Sequence, residues 1–171
     1  MSFYENQKEK FIQSSTKGLP LHLLINLADF PKANLIMAHG ITENLGIFTP
    51  TASFFAKNGF NIFRYDQRGH GKSEGRRGDI EKYIYLCDDL NQIVKFVKQK
   101  YFNLPTFVIG HSMGGETVLL FGVKYPRKVD GLLATGPMSI YTVPGKIHVP
   151  IKGDPKKINP VYHNRRFNFF F

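Results

Sequence analysis

Residues 108–117 read VIGHSMGGET, an apolar run that breaks into Ser112, with Gly110 two residues before it and Gly114 two after. A serine on a sharp strand-to-helix turn adopts strained backbone angles so that its hydroxyl projects outward. The residues two positions either side then come so close that side chains would clash. Glycine at both positions meets that demand. The preceding TFVI reads as a strand, and the following GGETVLLFGVKY reads as a helix whose N-terminus faces the serine. Glycines at this spacing are common by chance. Flanked by strand and helix, they mark Ser112 as a candidate nucleophile rather than a small residue in an ordinary turn.

Working outward, apolar, β-rich runs occur at 34–40 (NLIMAHG), 61–66 (NIFRYD), 106–112 (TFVIGHS) and 131–137 (GLLATGP). Short, nearly continuous apolar strands suit a parallel sheet covered on both faces. LHLLINLAD at 21–29 predicts a further strand at the sheet edge. Between these runs, Ile80, Tyr83, Ile84, Cys87, Leu90, Val94, Val97 and Tyr101 recur every three or four residues, the spacing of one buried helix face, with Asp79 the predicted N-cap. A second helix is predicted from about Met113 to Lys124, ending because Tyr125 precedes Pro126. A shorter one fits PTASFFAKNG, with Gly59 as its stop. The alternation of strand and helix is an α/β crossover series. Residues 1–140 read as the packed unit; 141–171 read as an irregular basic and aromatic tail.

Composition narrows the class. The chain has 171 residues, of which 42% are hydrophobic and 21% charged, enough for one globular domain that buries ~70% of its unfolded surface. Its net charge of +10 could draw phosphate-bearing partners. Part of that excess sits in Lys152, Lys156, Lys157, Arg165 and Arg166, near the single acid Asp154, and no nucleic-acid motif accompanies it. A solvated tail is therefore preferred to a nucleic-acid site. Cys87 is the only cysteine, which excludes an intrachain disulfide and a cysteine-rich metal site. No stretch approaches the ~18 apolar residues of a membrane span, and the N-terminus lacks a signal-like apolar core, so a cytoplasmic protein is expected.

Acyl transfer at Ser112 would need two backbone amides aimed at the developing oxyanion, each worth ~3 kcal/mol of barrier. Met113, directly after the serine, is one candidate. MAHGITEN supplies the other: His39 and Gly40 end a strand, and the Ile41 amide would follow into the cleft, with His39 orienting the loop rather than acting in catalysis. GHGKSEG contains the GKS of a phosphate-binding loop, but Asp66 stands where that pattern requires its first glycine. Glu74 likewise stands where a dinucleotide fingerprint needs its third, so nucleotide binding is excluded at this site.

HGITEN, YDQRGHGKSEG, GHSMGGE and GLLATGP, in this order, resemble the monoacylglycerol lipase and lysophospholipase branch of the α/β-hydrolase superfamily, also described as the serine aminopeptidase S33 domain. The resemblance covers about 20–140. It implies the N-terminal portion of an α/β-hydrolase fold, with a mostly parallel sheet and helices on both faces. Ser112 would be the nucleophile and the amides of Ile41 and Met113 the oxyanion hole, with no cofactor or metal. The substrate would be a small carboxylic ester or monoacyl lipid, and any membrane contact would be peripheral. Asp66, Arg68, Gly69, His70, Gly71 and Ser73 would form a structural loop.

In this superfamily the acid and histidine follow the serine on later strands. The acids after Ser112 are Glu116, Asp130 and Asp154, and the histidines are His148 and His163; no triad acid or histidine is identifiable among them. His111, next to the serine, is read as packed or cleft-lining. The chain is therefore expected to lack the later strands and to be inactive alone. Alternatives are a non-catalytic fragment needing a complementing C-terminal half, and a binding module using the basic aromatic tail.

Overall fold

The computed structural model describes residues 7–137. Six strands, β1 (Gln7–Gln13), β2 (Pro20–Asn26), β3 (Ala33–Ala38), β4 (Phe60–Tyr65), β5 (Thr106–His111) and β6 (Gly131–Thr135), form one sheet in the order β1-β2-β4-β3-β5-β6. β4, β3, β5 and β6 run parallel, while β2 is antiparallel to both β1 and β4. Three helices, α1 (Thr49–Lys57), α2 (Tyr83–Lys100) and α3 (Met113–Lys124), connect the parallel strands, and a 3₁₀ turn, Leu45–Phe48, leads into α1. The predicted succession of strand and helix from β3 to β6 is the observed one.

β3 is buried along its whole length, which explains its unbroken apolar sequence. Its alternate residues feed two cores on opposite faces. On one face Ile36 and Ala38 join Phe63 and Tyr65 of β4, Val108 of β5, Leu90, Ile93, Val94 and Val97 of α2, and Val118 and Phe121 of α3. On the other, Leu35 and Met37 meet Ile62, Ile109, Phe48 and Ala52, so α1 and its 3₁₀ turn roof the smaller core. Helices cover both faces, as expected.

Two boundaries differ from expectation. β2 is not the edge strand; β1 pairs outside it, with Glu9 opposite Leu24 and Phe11 opposite His22. QKEKFIQ has no apolar alternation to announce a strand because most of it faces water, and its exposed Lys8 and Lys10 suit an edge that must refuse further pairing. α2 begins at Tyr83 rather than after Asp79, with Lys82 in extended geometry at its N-cap and no side-chain cap. Asp79 instead pairs with Arg76 at 3.1 Å, in the turn before the helix. The other two ends match: Gly59, at φ +81, follows α1, and α3 stops at Lys124 with Tyr125 as C-cap.

The side chain of Phe63 is fully buried at the centre of the larger core, its ring 5.2 Å from that of Tyr101. Phe63→Ala is expected to lower unfolding free energy by about 3–5 kcal/mol, through lost transfer and the cavity left behind. Urea titration followed by circular dichroism measures it.

Candidate active site

Ser112 sits between the end of β5 and the first residue of α3 with φ 52 and ψ −117. A non-glycine residue there costs ~1–3 kcal/mol and persists only when its surroundings hold it. They do so from both sides: the Ser112 N–H donates to Thr135 O of β6 at 2.9 Å, and Glu116 N–H donates to Ser112 O at 3.0 Å. The flanking glycines are required for closeness rather than for unusual dihedrals. A Cβ on Gly110 would overlap the Gly114 carbonyl, and one on Gly114 would overlap Ala38 O and lie 2.7 Å from His39 O. The first turn of α3 therefore rests directly on the backbone at the end of β3.

That contact brings the loop after β3 to the serine. A Cβ on Gly40 would stand 3.2 Å from Ser112 Cβ. The Gly40 N–H is engaged by Glu43 Oε2 at 2.7 Å, whereas the amides of Ile41 and Met113 find no acceptor among the described residues. Met113 is buried and the side chain of Ile41 is 43% exposed. His39 is fully buried, with Nε2 accepting the Gln67 N–H at 2.9 Å and Nδ1 donating to Gly40 O at 2.7 Å. Burial holds its pKa below the usual histidine value, so it stays neutral with both nitrogens occupied. It orients the loop, as expected, and has no free nitrogen with which to act as a base.

The other predicted loop residues are structural here. The buried carboxylate of Asp66 accepts hydrogen bonds from Leu45 N–H at 2.7 Å, Lys72 N–H at 2.9 Å and His22 Nδ1 at 2.7 Å. Gly71, at φ +49, passes so close to that carboxylate that no Cβ fits. Arg68 makes a two-pronged pair with buried Asp89 of α2, at 2.7 and 2.9 Å, and Ser14 Oγ donates to the same carboxylate at 2.6 Å. Ser73 Oγ donates to Asp66 O at 2.6 Å and accepts from His22 N–H at 2.8 Å. This loop ties β2, the turn before α1, and α2 beneath the site.

None of the described acids or histidines reaches the serine hydroxyl, which has no hydrogen-bond partner among the described residues. His111 is exposed and its Nδ1 lies 3.1 Å from Thr135 Oγ1 on β6. Glu116 is 8% exposed, and burial raises its carboxyl above the ordinary value. Asp130 accepts from the Thr106 N–H at 2.8 Å, at the opposite end of the sheet. Cys87 is buried with its thiol pushed up to about 12, which removes it as a nucleophile at neutral pH. His148, Asp154 and His163, with the whole 141–171 segment, lie outside the described residues.

A mostly parallel sheet whose fifth strand delivers a strained serine onto a helix N-terminus is the architecture of an α/β hydrolase. Solved structures agree: an esterase from Pyrococcus furiosus is 26% identical, with a TM-score of 0.69 over 79% of this chain and 52% of that one. A carboxyl esterase from Bacillus coagulans matches with a TM-score of 0.68 at 23% identity, over 74% of this chain and 43% of its own. The chain belongs to the serine aminopeptidase S33 family, whose model matches residues 29–157. It is 32% identical over 107 residues to a monoacylglycerol lipase of Mycolicibacterium smegmatis, covering 63% of this chain and 38% of that protein. Human monoglyceride lipase is 32% identical over 63% of this chain and 36% of its own length; a Bacillus subtilis phospholipase is 30% identical over 64% and 42%. The chain thus spans well under half the length of these relatives.

Gly114→Ala forces Cβ against the end of β3 and is expected to cost about 1–3 kcal/mol of stability, read by thermal unfolding. Glu116 has a raised pKa in the folded state, so folding binds a proton more tightly than the unfolded chain does. Its charge is therefore a destabilising contribution that grows as pH rises from the ordinary glutamate value through the folded one and is complete above both. Glu116→Gln is expected to be more stable than the parent at pH 7 and equal to it at the acid end, measured by urea midpoints across that range.

Proposed function

We propose that this chain carries the nucleophile and oxyanion-hole portion of a serine hydrolase of carboxylic esters, with monoacylglycerol- or lysophospholipid-like lipids as substrates. The observation that carries the reading is Ser112 itself. Its backbone is strained, Gly114 just after it packs on the end of β3, and Gly40 approaches its Cβ; the amides that follow Ser112 and Gly40, those of Met113 and Ile41, have no acceptor among the described residues. The names of the relatives, monoacylglycerol lipase and phospholipase, support the substrate class.

In this mechanism Ser112 Oγ attacks the acyl carbonyl carbon and gives up its proton. The carbonyl oxygen becomes an oxyanion held by the Ile41 and Met113 amides, and the C–O bond to the alcohol breaks as the alcohol takes a proton. Water then attacks the acyl-serine by the reverse logic and releases the fatty acid. Both steps need a base. No described histidine bonds the serine hydroxyl: His22 and His39 have both nitrogens engaged, His70 is buried with Nδ1 on Arg68 O, and His111 lies on Thr135, so the base and its acid are assigned to residues outside the described ones, with a complementing C-terminal half as the proposed source. A site with its oxyanion hole but without its base retains ~10³–10⁴-fold rate over water.

Prolonged incubation of the 171-residue polypeptide with a fluorophosphonate is expected to modify Ser112 ahead of every other serine, as read by peptide mass spectrometry, with no such adduct in Ser112→Ala. Modification spread evenly over the serines would sink the nucleophile assignment. Hydrolysis of a short-chain aryl ester by the same polypeptide is expected to be no faster than by Ser112→Ala. Robust turnover lost only in the variant would show that a base is already present.

A further inference from the structure

We propose that Gln67 is a positioning residue that sets the register between the two backbone segments flanking Ser112, namely the end of β3 leading to Gly40 and Ile41, and the first turn of α3. The proposal rests on reading those segments as the oxyanion hole.

Gln67 follows Asp66 at the end of β4 and is buried, yet it belongs to neither apolar core. Its hydrogen bonds converge on one neighbour. The backbone N–H donates to His39 Nε2 at 2.9 Å, and side-chain Nε2 donates to His39 O at 2.5 Å. A carbonyl only accepts, so the amide has one workable orientation: NH₂ toward His39 O and Oε1 toward α3. There Thr117 Oγ1 lies 3.3 Å from Gln67 Oε1 and 2.9 Å from Met113 O. The single hydroxyl proton serves Met113 first, so the helix-side arm is the weaker.

His39 O is the critical acceptor, because it forms part of the wall on which Gly114 rests. Through His39, Gln67 also fixes the loop beyond. With the Gln67 N–H on Nε2, the imidazole carries its proton on Nδ1 and donates it to Gly40 O. The side chain thus holds the carbonyl that seats α3 and leads into Gly40, while the backbone N–H of the same residue, which any residue but proline supplies, selects the His39 tautomer. A Gln67 that served only to fill space would be replaceable by any side chain of equal shape.

The test uses the 171-residue chain with two variants that keep the size of Gln67. Gln67→Met removes both side-chain bonds, and Gln67→Glu keeps the acceptor but turns an oxygen toward His39 O. Backbone ¹⁵N relaxation is expected to show the order parameters of Gly40, whose N–H shares a peptide unit with His39 O, and of Gly114, which rests on that carbonyl, falling from ~0.85 to below ~0.6 in both variants, while β1 and β2 are unmoved. Fluorophosphonate modification of Ser112 should slow by about tenfold to a hundredfold, as expected for misplaced oxyanion donors. Unchanged order parameters in Gln67→Met would overturn the proposal, as would undiminished modification in both variants. Falling order parameters in a chain whose Ser112 is never modified would uphold the positioning role and overturn the hydrolase reading instead.

Discussion

The site depends on one close approach: the Cα of Gly114 against the carbonyls of Ala38 and His39. No residue with a Cβ permits it. At that closeness the chain passes from β5 into the first turn of α3 through Ser112, at φ 52. The same contact puts Gly40 beside Ser112 Cβ. The proximity of these backbone segments rests on a missing side chain at Gly114, reinforced by the equally tight fit of Gly110 against Gly114.

A second layer keeps that geometry rigid without taking part in it. Asp66 and Arg68, two residues apart, face different directions. The Asp66 carboxylate gathers donors from β2, the 3₁₀ turn and its own loop; Arg68 reaches Asp89 on α2 and the serines after β1. Removing one partner of such a buried ion pair leaves an uncompensated charge, which costs ~3–5 kcal/mol. The loop is polar inside, where an apolar filling would not fix directions.

Much of this was legible in the residues. Apolar, β-rich runs announced β3 to β6, most directly β3, which is buried along its whole length and has no solvent side to show. The glycine spacing around Ser112 announced the turn. β1 was not legible, since a solvent-facing edge strand with Lys8, Glu9 and Lys10 looks like any charged terminus. The start of α2 was missed for a related reason: Asp79 has the chemistry of a cap but is held in the preceding turn by Arg76. Gln67 carried no signal at all, because nothing in a glutamine between Asp66 and Arg68 reveals that it is buried with its amide on His39 O. The strand ends were readable from composition, whereas the polar ties between them depend on which loops the fold brings together.

The φ of Ser112 is one that glycine occupies without steric strain, at the cost of a freer unfolded chain. A glycine at 112 would keep the elbow's backbone and remove only the hydroxyl, so the turn itself does not call for a serine.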